Sequence, residues 1–299
     1  MDITANIKEL EFKGYTIIHN VLNNDEINDY LNEFNKWRSN VPDLDYLHNI
    51  IDFNGIFKHH EVGHQRFAWL ARTNKNIINI FKQLWNTDEL ATSFDGCCYF
   101  PSNYKNIDMY WMHTDQSPQM KGSCCYQSFV SLTDNSERTL VLYKESHLLH
   151  EKYFQDMNID NNIQWHIIDY NYLENLNIEH KKIKLSVKKG DLVIWDSRTF
   201  HQNSCGSTSC EEERLVQYLC YLPKNSEQND QKQRNLRLKY FNNRRTTSHW
   251  VYPMNAVPLQ PNSYNNYSDL NNLNRIYIDY NNLPIPYIDD LLPKIKELL

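Results

Sequence analysis

The 299-residue sequence contains only seven glycines, about a third of ordinary usage. Turns and helix caps must therefore fall largely to asparagine, which tolerates the left-handed backbone and hydrogen-bonds to its own chain. No apolar run approaches the roughly twenty residues that a membrane-spanning helix requires, and mean hydropathy is −0.71. The opening MDITANIKELEF has neither a basic n-region nor an apolar h-region, so no secretory signal is read there. Positive charge is also short. Against 37 Asp and Glu stand 31 Lys and Arg, a net charge of −6, which disfavours general binding to nucleic acid or to an anionic membrane. Paired-cysteine patterns are missing as well: the seven cysteines are odd in number and include the adjacent pairs Cys97–Cys98 and Cys124–Cys125, unlike a disulfide framework or a C-x-x-C metal knuckle. They read as reduced thiols, and the expected location is cytoplasmic.

What the chain has in abundance is aromatic bulk, with 20 Tyr, 12 Phe and 7 Trp in a sequence that is 40% apolar. Such a chain folds into a globular core. GYTIIH (14–19) reads as a strand, and Asn24 is expected to cap a helix carrying Ile27, Tyr30, Leu31, Phe34 and Trp37 at helical spacing. A second helix follows Asn74. From Leu90 to Tyr143 the pattern changes to short β-rich runs (LATSF, CCYF, MYWMH, SCCYQSFVSL and RTLVLY), interrupted by polar turns. After a mostly helical or irregular stretch from Ser146 to His180, strand character returns in Ile183, Leu185 and Val187, in LVIW, and in RLVQYLCYL. A charged helix near Gln231 to Asn243 and an amphipathic tail from Pro286 close the chain. There is no repeat of 20 to 50 residues and no flexible linker composition. One domain over 1–299 is expected, with a core of about 90–222, a helical N-terminal buttress 1–89 and a helical C-terminal extension 223–299. The fold class is mainly β with flanking helices, a double-stranded β-helix of the jelly-roll or cupin-like type.

Two segments carry chemistry. His113-Thr114-Asp115 ends one strand run, and Gly190-Asp191 opens another that leads to His201. In extended chain, residues two apart share a face, so His113 and Asp115 address one point. His201 from a facing strand completes two imidazoles and one carboxylate, a set that leaves open coordination positions suited to a non-haem Fe(II) oxygenase. Arg214 follows at the start of RLVQYLCYL, where a guanidinium entering the barrel suits the far carboxylate of 2-oxoglutarate. Asn203 would face the same side as His201 and reach the cosubstrate, while Trp111 and Arg198 are candidates for the substrate pocket.

This constellation resembles the phytanoyl-CoA dioxygenase family of Fe(II)/2-oxoglutarate oxygenases, whose members carry H-x-D, a distal His and a following Arg. The likeness extends to a mostly uncharacterised eukaryotic subgroup through GHQRFAWLAR, IFKQLWNTDELATSFDG, HTDQSP, GDLVIWDSRTFHQN and RRTTSHW. It implies a dioxygenase using Fe(II), 2-oxoglutarate and O2 that hydroxylates a substrate with release of succinate and CO2. Asp115 fills the position a halide would need, which favours hydroxylation over halogenation. The substrate, a small molecule or a peptide, is left open. Where the family has a Gly-rich turn after H-x-D, this chain has Asn135-Ser136-Glu137-Arg138-Thr139, and KESH stands in place of G-S-H.

One motif competes. His60-Glu61-Val62-Gly63-His64 matches H-E-x-x-H, the zinc metalloprotease signature, which needs two His one helical turn apart and a Glu as base. A glycine inside the required helix is unfavourable, and Phe67 and Leu70 stand where the longer signature needs Gly and His. The protease therefore remains only an alternative, beside a metal-binding scaffold without turnover.

Overall fold

The computed structural model describes residues 1–52, 54–105, 107–261 and 277–299. The chain divides into two compact units, one made of Met1–Leu22 with Phe100–Val216 and the other of Asn23–Tyr99 with Gln217–Leu299. Among the described residues no helix is long and apolar enough to cross a membrane.

The first unit holds the strands expected around both candidate motifs. Leu192–Asp196 lies between Tyr15–Ile18 and Tyr126–Ser131, antiparallel to each. A second antiparallel sheet runs in the order His166–Ile167, His113–Thr114, His201–Asn203, Leu140–Tyr143 and Lys182–Lys184. Two antiparallel sheets with flanking helices are the jelly-roll architecture that the sequence pattern predicts.

Alternation assigns the two faces of the second sheet. His201 is directly opposite both His113 and Leu142, and His113 is opposite Ile167, so these side chains share one face. Residues one step away point the other way. Met112, Val141, Tyr143, Ile168 and Phe200 join Tyr153, Phe154 and Leu173 in one buried cluster, formed with the helices His150–Asp156 and Tyr170–Asn175. The expected MYWMH strand is shorter than read: its ladder begins only at His113, although Ile168 N–H still donates to the Met112 carbonyl at 2.8 Å.

The turn that lacks glycines is held by charge instead. Glu212 accepts backbone N–H groups of Ser136, Glu137 and Arg138 at 2.9–3.1 Å, and the Ser136 hydroxyl at 2.8 Å. Arg138 is fully buried and its guanidinium donates to the carbonyls of Pro101, Tyr104, Cys205, Cys210 and Glu212. Five backbone acceptors in one loop region are thus satisfied by one side chain, which a Gly-rich turn could not do.

In the second unit the helix Asn24–Asn40 is capped by Asn23, one residue earlier than expected, in a capping box with Glu26. Ile27, Tyr30, Phe34 and Trp37 form its buried stripe. Asn74 caps Lys75–Trp85 as the sequence indicates. Gly63 is forced by a close approach, since a Cβ there would lie 2.1 Å from the Phe94 carbonyl oxygen. Trp69 and Phe94 pack with Met254 and Ile295, which seats the closing helix Leu292–Lys296.

Burial raises the Glu212 carboxyl, but the hydrogen bonds from the Arg138 N–H and from Ser136 and Glu137 outweigh it, so its folded pKa lies below the ordinary value. A depressed folded pKa gives stability that is full above the unfolded carboxyl value and is lost as pH falls through the folded one. Glu212→Gln is therefore expected to cost about 1–2 kcal/mol at neutral pH and to flatten the acid limb of the stability curve. Urea denaturation from pH 7 to pH 3 checks this. A variant that loses stability with acid as steeply as wild type would contradict it.

Candidate metal centre

His113, Asp115 and His201 are all buried, and each offers one ligand atom such that the three atoms lie within 4.8 Å of one another. Among the described residues this is the one such group of His, Cys, Asp or Glu. The two imidazoles come from paired positions of neighbouring strands, with ring centroids 4.3 Å apart. Asp115 sits just past the strand end, where its N–H donates to the Ser197 carbonyl at 2.9 Å. The turn before His201 thus fixes the carboxylate.

The tautomers are set by the backbone. Nδ1 of His113 lies 3.0 Å from the Trp111 carbonyl and Nδ1 of His201 lies 2.8 Å from the Thr199 carbonyl. A carbonyl only accepts, so each Nδ1 carries the proton and each Nε2 presents its lone pair. Both Nε2 atoms converge on Asp115 Oδ2, at 3.5 Å from His113 and 3.3 Å from His201. Burial, with His113 alongside, holds the His201 imidazole below its ordinary pKa. Two imidazole nitrogens and one carboxylate oxygen on one side of a point are a donor set for a divalent ion, with the ring N–H groups already oriented by hydrogen bonds.

Gln127 is a site residue that the sequence reading passed over. Its Nε2 donates to Asp115 Oδ2 at 2.9 Å from the strand Tyr126–Ser131. Gln127 is opposite Trp195 in its ladder, and the Trp195 ring lies 5.4 Å from that of His201, so the inner faces of the two sheets meet at the triad. A glutamine on a β-rich run has no local signal, because its partner is distant in the sequence. Gln116 was likewise unread: its side chain donates to the Met120 and Gly122 carbonyls and accepts the Ser197 hydroxyl at 2.8 Å, which ties the loop after Asp115 to the turn before His201.

Trp111 stacks on His113 with centroids 4.8 Å apart and planes inclined by 20°, and its indole N–H donates to the Asn203 carbonyl. Asn203 itself is buried two residues past His201 on the same face. Arg214 is buried, with its guanidinium 5.5 Å from the Phe129 ring centroid. Phe129 is two residues from Gln127 in the same strand, so Arg214 lies on the side of that sheet that faces the triad. Arg198 is committed elsewhere, to a two-pronged pair with Asp196 at 2.9 and 2.8 Å.

The H-E-x-x-H letters do not build a zinc site. His60 and Glu61 have φ of 58° and 55°, and only a short 3-10 turn, Val62–His64, follows. The two histidines therefore do not stack on one helical turn. Glu61 is bound to Arg244 at 2.6 Å, and His64 Nε2 lies 3.1 Å from the Arg245 carbonyl, which takes its hydrogen. Burial pushes the His64 pKa down to about 3, as for an imidazole packed into a core. The protease reading is thereby withdrawn.

The sequence model of the phytanoyl-CoA dioxygenase (PhyH) family matches residues 10–209. Ava biosynthesis cluster protein O of Aspergillus versicolor is 28% identical over 240 residues, 72% of this chain and 76% of that protein. The epimerase SnoN, in complex with Fe3+, alpha ketoglutarate and nogalamycin RO, superposes with a TM-score of 0.53 at 16% identity, covering 74% of this chain and 83% of its own. EctD from S. alaskensis, with 2-oxoglutarate and 5-hydroxyectoine, gives 0.52 at 15% identity over 74% of this chain and 76% of its own. At these identities the structural likeness is one of fold.

Asp115→Ala is expected to abolish the uptake of about one divalent ion per chain, because two imidazoles alone hold an ion weakly. Glu61→Gln should leave that uptake unchanged. Metal analysis of both purified variants decides, and full occupancy in Asp115→Ala would sink the assignment.

Proposed function

Because the chain belongs to the phytanoyl-CoA dioxygenase family, the 2-oxoglutarate-dependent non-haem iron oxygenases, we propose that His113, Asp115 and His201 hold its Fe(II) and that Arg214 receives the far carboxylate of 2-oxoglutarate. The observation that carries this reading is the buried triad with both Nδ1 atoms engaged and both Nε2 atoms directed at Asp115. When bound, the iron with 2-oxoglutarate and O2 supplies the oxidising chemistry that hydroxylates a substrate C–H and releases succinate and CO2.

The chain's own residues do the positioning. The Trp111 and Thr199 carbonyls hold the imidazole planes, and Gln127 holds one carboxylate oxygen of Asp115. Arg214 supports the cosubstrate role by its burial and by its place over Phe129, on the face that Gln127 shares. A buried guanidinium fits a dicarboxylate's distal end because it offers two parallel donors and keeps its charge at any working pH. Asn203 adds an amide beside His201. Arg198 is not part of this reading, since Asp196 already takes its fork. The triad is buried, a setting in which each of these polar contacts is stronger than in water.

The substrate is proposed to be a small molecule. The name of the Aspergillus versicolor relative places that protein in a biosynthesis cluster, which supports a metabolite over a polypeptide. Residues 1–299 are proposed to act as one oxygenase domain. The seven cysteines, none in a disulfide, support a reducing compartment such as the cytoplasm.

Removing Arg214 would leave a buried anion without its partner, a loss of about 2–5 kcal/mol. Arg214→Ala should accordingly raise the apparent KM for 2-oxoglutarate at least tenfold while iron occupancy stays constant. Arg214→Lys should recover only part of the affinity, since an ammonium supplies charge without the fork. Succinate release titrated against 2-oxoglutarate measures both, and an unchanged KM in Arg214→Ala would remove the residue from the cosubstrate site.

A further inference from the structure

The sheet face that carries the triad continues one strand further, to the sheet edge. There His166–Ile167 pairs with His113–Thr114, and Ile167 stands directly opposite His113. Trp165, two residues before Ile167, falls on the same side, and its ring centroid is 5.8 Å from that of His113. Exposure changes abruptly along this face. His113 and His201 are 5% and 4% exposed, whereas Trp165 and Ile167 are 49% and 43% exposed. One inter-strand spacing, about 4.8 Å, therefore separates a buried metal centre from an open apolar strip. His166, on the opposite side, is packed edge-on to Phe154, so the exposure belongs to the inner face and is not a fraying of the whole strand.

We propose that Trp165 and Ile167 form the seat of the substrate, and that the substrate presents to them a flat, uncharged ring. This rests on the oxygenase reading above and names the substrate class for that same site. An indole face and a branched aliphatic side chain bind a planar apolar group by stacking and by area removed from water. An indole also attracts a cation, but the second half of the strip is the branched aliphatic side chain of Ile167, which offers a charge nothing and adds apolar area for a neutral ring. Trp111 also stacks on His113, so the His113 ring lies against two indoles, and a ring seated on Trp165 lies beside the proposed metal ligand and not at a remote site.

The test uses the full chain loaded with Mn(II), with indole as the neutral planar probe and tetramethylammonium as the cationic one, both followed by proton NMR. Paramagnetic Mn(II) should broaden the indole resonances. Trp165→Ala should weaken indole binding at least about fivefold, the scale of one aromatic stacking contact, with Mn(II) affinity within about twofold of wild type because Trp165 is not a ligand. Trp165→Phe should restore indole binding, which a merely structural role for the indole would not predict. Asp115→Ala should keep the indole affinity and lose the broadening. Mn(II) uptake with indole binding that ignores Trp165, or Trp165-dependent binding without broadening, would overturn the platform alone. Tetramethylammonium binding through Trp165 as well as indole would overturn the uncharged class. A native chain that takes up no Mn(II) would instead overturn the oxygenase reading, and the substrate site with it.

Discussion

His201 lies opposite His113 in an antiparallel ladder, and because side chains alternate with a period of two, that pairing decides on which side every neighbour falls. A slip of one residue in either strand would turn an imidazole outward into the cluster of Met112, Phe200 and Tyr153 and bring an apolar side chain inward. The apolar cluster thus does more than stabilise the sheet. By burying the odd-register residues under two helices it makes the alternative register costly, since several large side chains would lose their burial at roughly 1.5–3 kcal/mol each. The geometry of the His113–Asp115–His201 triad is in this sense enforced from the opposite side of the sheet.

Buried polar groups need partners, and in a chain with only seven glycines side chains meet much of that demand. The Asn135–Thr139 turn is the clearest case: Glu212 gathers three successive backbone donors, and Arg138 gathers five carbonyls. Both arrangements replace conformational freedom by charge-assisted hydrogen bonds, which are shorter and stronger than neutral ones. Low glycine usage is compatible with tight turns elsewhere because other residues accept positive φ. Asn20, Asn86, Asn158 and Asn177 all do so, as the composition implies. Glycine is kept where a Cβ has no room, at Gly63 against Phe94 and at Gly96, where it would lie 1.8 Å from the Phe57 carbonyl.

Much of the first unit was legible because its signals are local. H-x-D needs only the two-residue period of a strand, and the strands flanking it announce themselves by β-branched and aromatic runs. Arg214 was legible as a charge at the start of an otherwise apolar strand, and the structure buries it. What escaped was set by long-range partners. Gln127 meets Asp115 across the sheets, and the role of Trp165 depends on a two-residue edge strand inside a stretch read as helical or irregular. The MYWMH run was read too long because aromatic content alone does not say where a ladder begins. The helix cap was misplaced by one residue between two adjacent asparagines, and only Asn23 has its side chain on the Glu26 N–H.

The contrast between the two histidine motifs shows which histidine nitrogens a fold leaves open to a metal. In both, two imidazoles and a carboxylate lie close in sequence or in space, and in both the rings are buried. At the His113–Asp115–His201 triad the backbone carbonyls take the Nδ1 hydrogens, and the Nε2 atoms converge on a carboxylate that Gln127 holds by one donor. At His60-Glu61-Val62-Gly63-His64 the backbone carbonyl of Arg245 takes the Nε2 hydrogen of His64, and Arg244 takes the carboxylate of Glu61. The residue types are the same, but partners have claimed the atoms of His64 and Glu61 that a metal would use, and His60, whose ring nitrogens make no hydrogen bond, does not share a helical turn with them. The left-handed φ of His60 and Glu61 puts a bend where the protease motif needs a continuous turn, and the approach of the Phe94 carbonyl leaves no room for a side chain at Gly63.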